Sequence, residues 1–228
     1  MRMIDKVGRV ITLNTPNEAV MFQTMKDYRI NNFPDGFSCV FESWFDVILQ
    51  YEEQTRDDNG LGDAIYWYNE RANIGAFAAA LARNNIAVIE EYPALKGKGT
   101  DKSPGRVDLS FCYRKQWYLV EAKLKWLPLT PEGFDLKDIN SHACKDAKRT
   151  GQQDQGSLPL GLTFVLPHIL PRYKEKITEC VRASIKQLDN EKSCDFWAYC
   201  APGKLRELQT EEKTKYYFPM VLLMANVL

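Results

Sequence analysis

Hydrophobic and polar residues recur along this chain with two different periods, and each period predicts its own kind of element. Apolar residues at helical spacing predict helices over residues 38–54, 64–85 and 172–190. Short apolar runs predict strands over residues 86–93, 106–113, 116–124, 160–169, 194–202 and 215–228. The polar segment 136–156 is expected to begin as a helix. From residue 64 onward this order predicts an α/β fold, a mixed β-sheet flanked by helices.

The first 60 residues are expected to form a mainly helical extension packed on a core domain of residues 61–228. Thr15, Pro16 and Glu18 have the pattern of a helix start, with a cap, a first-turn proline and a capping box, which predicts a helix over 15–30. A short hairpin is expected before it, over 5–15. The acidic, glycine-containing segment 52–63 is the expected boundary between the two regions.

The very apolar C-terminal segment, residues 216–228, predicts a buried strand or, alternatively, a strand at a dimer edge. An edge of that kind would make the chain a homodimer.

Charge and composition exclude several classes of protein. Lysine plus arginine equals aspartate plus glutamate, at 30 each, so the formal net charge is zero and no global attraction to a polyanion exists. No apolar run reaches the ~20 residues that a membrane span needs. The N-terminus has no continuous apolar signal segment, so a cytoplasmic protein is expected. Six cysteines without a CxxC pair, beside two histidines, argue against structural zinc.

Three charged residues stand out in the second and third predicted strands. Residues two apart in a strand share a face, so Glu121 and Lys123 point the same way, and a hairpin would bring Asp108 beside Glu121. Two neighbouring carboxylates repel each other unless a cation or a proton joins them. Magnesium favours such oxygen ligands, and a nearby lysine can serve hydrolysis of a phosphodiester. The alternative is an ordinary ion pair on a solvated strand.

Glu70 lies on the apolar stripe of the preceding helix, where an unpaired carboxylate is costly. The stripe is formed with Trp67, Ile74, Phe77 and Leu81. Glu70 is therefore a candidate third acid, although it could instead reach solvent or pair with Arg71 or Arg83.

A basic segment surrounds the candidate acids. Between residues 96 and 125 the chain has eight lysines and arginines and only three acids. Lys96, Lys98 and Lys102 are expected in a mobile, glycine-containing loop that, with Arg106, could hold the phosphates of a nucleic acid. The alternative is a solvated loop without a ligand.

These residues resemble the PD-(D/E)XK nuclease superfamily, whose fold is restriction-endonuclease-like. The resemblance rests on "PGRVD" with Asp108, on "VEAK" with Glu121 and Lys123, on Glu70 upstream, and on the order of elements over about residues 64–200. It implies that Asp108 and Glu121, with the Ala122 carbonyl, bind one or two Mg²⁺ ions, for which Mn²⁺ can substitute.

The resemblance also assigns roles to the remaining residues. Lys123 would orient or activate the attacking water, and Glu70 would be an auxiliary metal ligand. A polar residue is expected from the helix that follows the lysine, with Gln152, Gln153, His142 and Lys145 as candidates.

A metal-dependent nuclease is therefore expected, acting on nucleic acid, with DNA favoured, in restriction, phage defence or repair. A homodimer or a partner subunit could contribute to the grip on the substrate. Two alternatives remain open. One is a catalytically inactive nuclease-like module that binds nucleic acid or a partner protein. The other is an unrelated mixed α/β protein in which the three charges form an ion-pair network.

Overall fold

The computed structural model describes residues 2–4, 10–12, 20–21, 24–58, 60, 62–97, 100, 102–151, 156–190, 192–205, 207–209 and 215–228. Helices within these ranges are α1 Ser38–Gln54, α2 Glu70–Arg83, α3 Ser141–Gly151 and α4 Ile177–Asp189. Short 3₁₀ turns, Ile65–Trp67 and Pro171–Lys176, precede α2 and α4.

The strands, in chain order, are β1 Arg2–Ile4, β2 Val10–Thr12, β3 Val20–Met21, β4 Met25–Ile30, β5 Ala87–Lys96, β6 Ser103–Tyr113, β7 Gln116–Pro128, β8 Ser157–His168, β9 Phe196–Ala201, β10 Lys204–Leu205, β11 Glu207–Gln209, β12 Lys215–Tyr217 and β13 Val221–Val227. The main sheet has seven strands in the order β4-β9-β13-β8-β7-β6-β5. β7 and β8 are parallel and the other neighbours are antiparallel, so the mixed sheet flanked by helices is confirmed.

Helices cover both faces of this sheet. On one face, α1 and α2 bury a large apolar cluster against the sheet, to which Trp44, Phe77 and Phe164 belong. On the other face, α4 packs on a second cluster that includes Val181, Trp197 and Met224. Full burial of a large apolar side chain contributes about 1.5–3 kcal/mol, so both layers hold the sheet in place.

The helix α3 connects the two parallel strands. Parallel neighbours need a crossover connection, because the chain must return to the starting end of the first strand. α3 lies so close to β8 that a Cβ atom on Gly161 would come within 2.6 Å of the Cys144 backbone nitrogen. The absence of a side chain at Gly161 therefore permits the close approach of α3.

Strand β4 corrects the prediction for the N-terminal region. The helix expected over 15–30 is wrong where the chain is described, because Val20–Met21 and Met25–Ile30 are strands. β4 pairs with β9 at the edge of the main sheet, and this pairing overrides the local helical preference. Thr15, Pro16 and Glu18 lie outside the described residues. Arg2–Ile4 and Val10–Thr12 pair as antiparallel strands, but the first of them precedes the expected hairpin range of 5–15, most of which lies outside the described residues. The helix over 38–54 is confirmed.

The C-terminal strand β13 is buried, as expected, but it is not an edge. It pairs with β8 on one side and with β9 on the other, which leaves no room for a dimer contact through its backbone. Membrane-spanning length and apolarity are not found together in any helix of the described ranges.

Candidate functional site

The strands β6 and β7 separate beside the candidate acids. Their pairing runs from Tyr113 and Gln116 at the turn to Leu109 and Val120, whereas β7 continues to Pro128. Beyond this point the N–H of Ala122 donates to Asp108 Oδ2 at 2.7 Å. Buried backbone donors require a partner, and a carboxylate supplies it here.

Glu70 has the equivalent position one step further along β7. The Leu124 N–H donates to Glu70 Oε2 at 2.9 Å, so both carboxylates line the edge of β7 where β6 leaves it. Glu70 begins α2, directly after the capping residue Asn69, and the positive end of a helix dipole favours a carboxylate there. The charged partners considered from the sequence are engaged elsewhere. Arg71 pairs with Glu91, and Arg83 donates to Gln50.

Glu121 and Lys123 point to the opposite face from the apolar cluster that contains Ala122 and Leu124. This is the face that α3 covers, because the hydroxyl of Thr150 in α3 donates to Glu121 Oε1 at 2.7 Å. The structure therefore brings Glu70, Asp108, Glu121 and Lys123 together along residues 121–124 of β7.

The Glu121 carboxylate is almost fully buried and holds two donors on one oxygen. Besides Thr150, the ammonium of Lys96 lies 2.5 Å from Glu121 Oε1. Burial raises the pKa of Glu121 above its ordinary value of 4.5, and the nearby charge of Asp108 adds to the rise. The hydrogen bonds from Lys96 and Thr150 favour the ionised form, but they do not fully offset the burial. The ionised form of this carboxylate is therefore still disfavoured, and a further positive charge nearby would stabilise it.

Lys123 is partly buried and lies 3.0 Å from Asp146 Oδ2, also in α3. Burial lowers the pKa of Lys123, but the hydrogen bond and charge of Asp146 outweigh it, together with the charges of Glu70 and Asp108. The resulting pKa lies above the ordinary 10.5. The side chain is consequently an ammonium ion at neutral pH.

Asp146 and Thr150 are functional-site residues that the sequence reasoning missed. They are four positions apart, which places them on one face of α3. Thr150 and Asp146 contact Glu121 and Lys123, whereas other residues were named for the polar contribution expected from this helix. His142 and Lys145 are exposed, and Gln152 and Gln153 lie outside the described residues. The spacing of Asp146 and Thr150 alone does not show that this face of α3 meets the sheet.

The basic residues differ from expectation in one important respect. Lys96 ends strand β5, and its ammonium contacts Glu121, so the expectation that it lies in a mobile loop is wrong. Lys102 is exposed, and Lys98 lies outside the described residues. Arg106 is mostly exposed and lies 3.1 Å from Glu91, the same carboxylate that binds Arg71. Two guanidinium groups thus flank the acids.

The donor set suits a weakly held magnesium ion. No group of three acidic, histidine or cysteine side chains that could hold a metal ion is found among the described residues. Mg²⁺ does not require one, because it keeps several waters and is commonly bound by one or two carboxylates together with substrate phosphates. Asp108 and Glu121 supply two such carboxylates, and the repulsion between them favours a cation.

Comparison with protein-family models, with curated proteins and with solved structures finds no match to this chain.

Proposed function

We propose that this protein is a metal-dependent nuclease with a restriction-endonuclease-like fold. The observation that carries the proposal is the convergence of Glu70, Asp108, Glu121 and Lys123 where β6 leaves β7. Three carboxylates and one ammonium at a strand divergence are the groups that metal-assisted hydrolysis of a phosphodiester needs. The order α2, β5, β6, β7, α3, β8 agrees with the core of the superfamily that the sequence resembles.

Each side chain has a role that follows from its contacts. Asp108 and Glu121, with the Ala122 carbonyl, would hold Mg²⁺, and Glu70 would assist. When bound, this ion supplies Lewis-acid polarisation of a phosphoryl oxygen and an activated water. Thr150 fixes Glu121 through Oε1, so that Oε2 can face the cation. Such outer contacts orient ligands and commonly matter as much as the ligands themselves.

The ammonium of Lys123 would stabilise the negative charge that develops on the phosphate. Its ion pair with Asp146 favours the protonated amine, and this supports the electrostatic role over that of a general base. Asp146 holds the ammonium in position from α3.

The substrate we propose is nucleic acid, with DNA favoured. A chain of zero net charge must hold a polyanion through a local patch. Arg71, Lys102 and Arg106 provide exposed positive charge, and the two arginines are close in sequence to Glu70 and Asp108. A homodimer or partner subunit would extend this grip.

A second candidate is a nuclease-like module without catalytic activity. One observation favours it, because the Lys96 ammonium already supplies Glu121 with a positive charge. In this alternative the ion pair replaces the metal, and the same exposed patch binds nucleic acid or a protein.

A cleavage assay separates the two candidates. Supercoiled plasmid, linear duplex DNA and single-stranded RNA are incubated with the protein in Mg²⁺, in Mn²⁺ and in EDTA. We expect DNA cleavage that requires the ion and is lost in Asp108→Asn. Asp189→Asn, which changes an exposed aspartate at the end of α4, should cleave like the wild type. A wild-type protein that cleaves none of these substrates in either ion would contradict the proposal and favour the inactive module.

A further inference from the structure

The Lys96 side chain is mostly buried and contacts a residue of the candidate site. Its side chain is only 20% exposed, and its ammonium lies 2.5 Å from an oxygen of Glu121 that is itself buried. The contact joins the last residue of β5 to the middle of β7, so the lysine reaches across the intervening strand β6.

Three contacts hold the Lys96 side chain and the neighbouring backbone in this position. The residue pairs with Ser103 in the β5–β6 ladder. Its aliphatic stem passes over Gly105, where a Cβ atom would come within 3.0 Å of Lys96 Cδ. The next residue, Gly97, donates its N–H to the carbonyl of Arg149 in α3 at 3.1 Å. These contacts keep the Lys96 ammonium beside Glu121.

The contacts of Glu121 limit where an ion can bind. Oε1 of this buried carboxylate already accepts from the hydroxyl of Thr150 and contacts the ammonium of Lys96. A second ion that shared Oε1 would have to lie beside the ammonium, where two positive charges repel each other. The ammonium therefore opposes a second ion at this carboxylate.

We propose that Lys96 acts as a fixed cation that limits the carboxylate site to a single divalent ion. Its ammonium takes the place beside Glu121 Oε1 that a second ion would otherwise occupy. The inference rests on the proposed function, because it presupposes that Asp108 and Glu121 bind a metal. It makes Lys96 a positioning residue of the site and not a residue that grips the nucleic acid.

The test is the number of Mn²⁺ ions bound per chain, measured on the full-length protein without nucleic acid. Equilibrium dialysis with metal analysis gives the number, and electron paramagnetic resonance of free Mn²⁺ checks it. We expect one ion for the wild type and two for Lys96→Met, in which the aliphatic stem is kept. Lys96→Gln should also bind two, because it keeps a hydrogen-bond donor and loses the charge.

Two further variants serve as controls, one for the charge at position 96 and one for the loss of a lysine elsewhere. Lys96→Arg keeps the charge and should bind one ion. Lys186→Met removes an exposed lysine on α4 and should also bind one. Thermal unfolding of each protein identifies the folded variants. If Lys96→Met does not fold, Lys96→Gln and the wild type decide the matter.

Three results would overturn the inference. Two ions in the wild type would mean that Lys96 does not exclude the second. One ion in the neutral variants would mean that its charge does not set the number. No bound ion in any variant would overturn the proposed function as well, which distinguishes that failure from the other two.

Discussion

Glu121 and Lys123 are two residues apart on β7, and each has its charge balanced by a different neighbour. The buried carboxylate contacts the Lys96 ammonium, while the lysine contacts Asp146. The pKa of Lys123 lies above 10.5 in the folded protein because the surrounding carboxylates outweigh its burial. A raised pKa keeps the proton on the amine as the pH increases. We therefore expect activity that needs the ammonium to persist through neutral pH and to decline only in strongly alkaline solution.

Replacing Asp146 tests whether its carboxylate raises the pKa of Lys123. Asp146→Asn removes the carboxylate that raises the pKa of Lys123, while the buried amine remains. The alkaline decline in cleavage rate should therefore begin at a lower pH than in the wild type. The measurement is the single-turnover cleavage rate from pH 7 upward.

The control for this profile is Lys123→Arg, whose guanidinium stays protonated across the accessible range. It should show no alkaline decline, whatever its absolute rate. An Asp146→Asn profile that coincides with that of the wild type would mean that Asp146 does not set the charge of Lys123.

Among the elements, the crossover β7–α3–β8 organises the site. β7 presents Glu121 and Lys123 on one face, and α3 returns over that face to supply Thr150 and Asp146. The position of α3 depends on close contact with β8 at Gly161. Site geometry and the packing of this helix are therefore linked.

The substitution Gly161→Ala should disturb both the packing of α3 and the geometry of the site. The added Cβ would lie 2.6 Å from the Cys144 nitrogen and 2.8 Å from its Cα, and these backbone atoms can move only with the helix. We expect the free energy of unfolding to fall by about 1–3 kcal/mol, as is typical of overpacking. Cleavage should fall as well, because α3 would draw Thr150 away from Glu121. Denaturant titration gives the stability, and the cleavage assay gives the activity.

Gly75→Ala is a matched control within α2, since a Cβ atom at this glycine meets no atom within 4 Å. Alanine is favoured over glycine inside a helix, so this variant should be as stable as the wild type or more stable by about 0.5–1 kcal/mol. A Gly161→Ala protein with unchanged stability would show that α3 can shift without cost.

For the whole molecule, the absence of net charge means that substrate affinity depends on a few groups. Lys96 contacts Glu121, so the exposed residues Lys102, Arg71 and Arg106 are our candidates for phosphate contacts. The two arginines share the carboxylate of Glu91.

The salt dependence of DNA binding should reveal these contacts. Each phosphate contact to duplex DNA contributes about −0.9 to the slope of log affinity against log salt. Lys102→Ala and Arg106→Ala should each flatten that slope by roughly one unit. Binding is measured with Ca²⁺ in place of Mg²⁺, so that cleavage does not interfere. Lys186→Ala is the control and should leave the slope unchanged; equal slopes in all four proteins would exclude the patch as the binding surface.

The apolar pattern predicted the main helices and strands from residue 64, because apolar periodicity reports burial directly. It missed the short strands β10 and β11 and joined β12 and β13 into one strand. The sequence also predicted that Glu121 and Lys123 share a face, since residues two apart in a strand point the same way, and both side chains contact α3. It did not predict the strand Met25–Ile30, which depends on pairing with the distant β9.

The sequence also did not predict the contacts between elements. Lys96 stands among glycines and lysines and has the composition of a loop, yet it pairs with Ser103 as the end of a strand. The contact of Thr150 with Glu121 depends on the rotation of α3 against the sheet, which no local pattern specifies.

The central claim is that Asp108 and Glu121 together hold a divalent ion, and anomalous scattering from crystals grown with Mn²⁺ tests it most directly. The account predicts one anomalous peak per chain, within coordination distance of an oxygen from each carboxylate and next to the Ala122 carbonyl. The peak should be absent from Asp108→Asn crystals. A map of the wild-type protein in saturating Mn²⁺ without a peak between these two side chains would contradict the account.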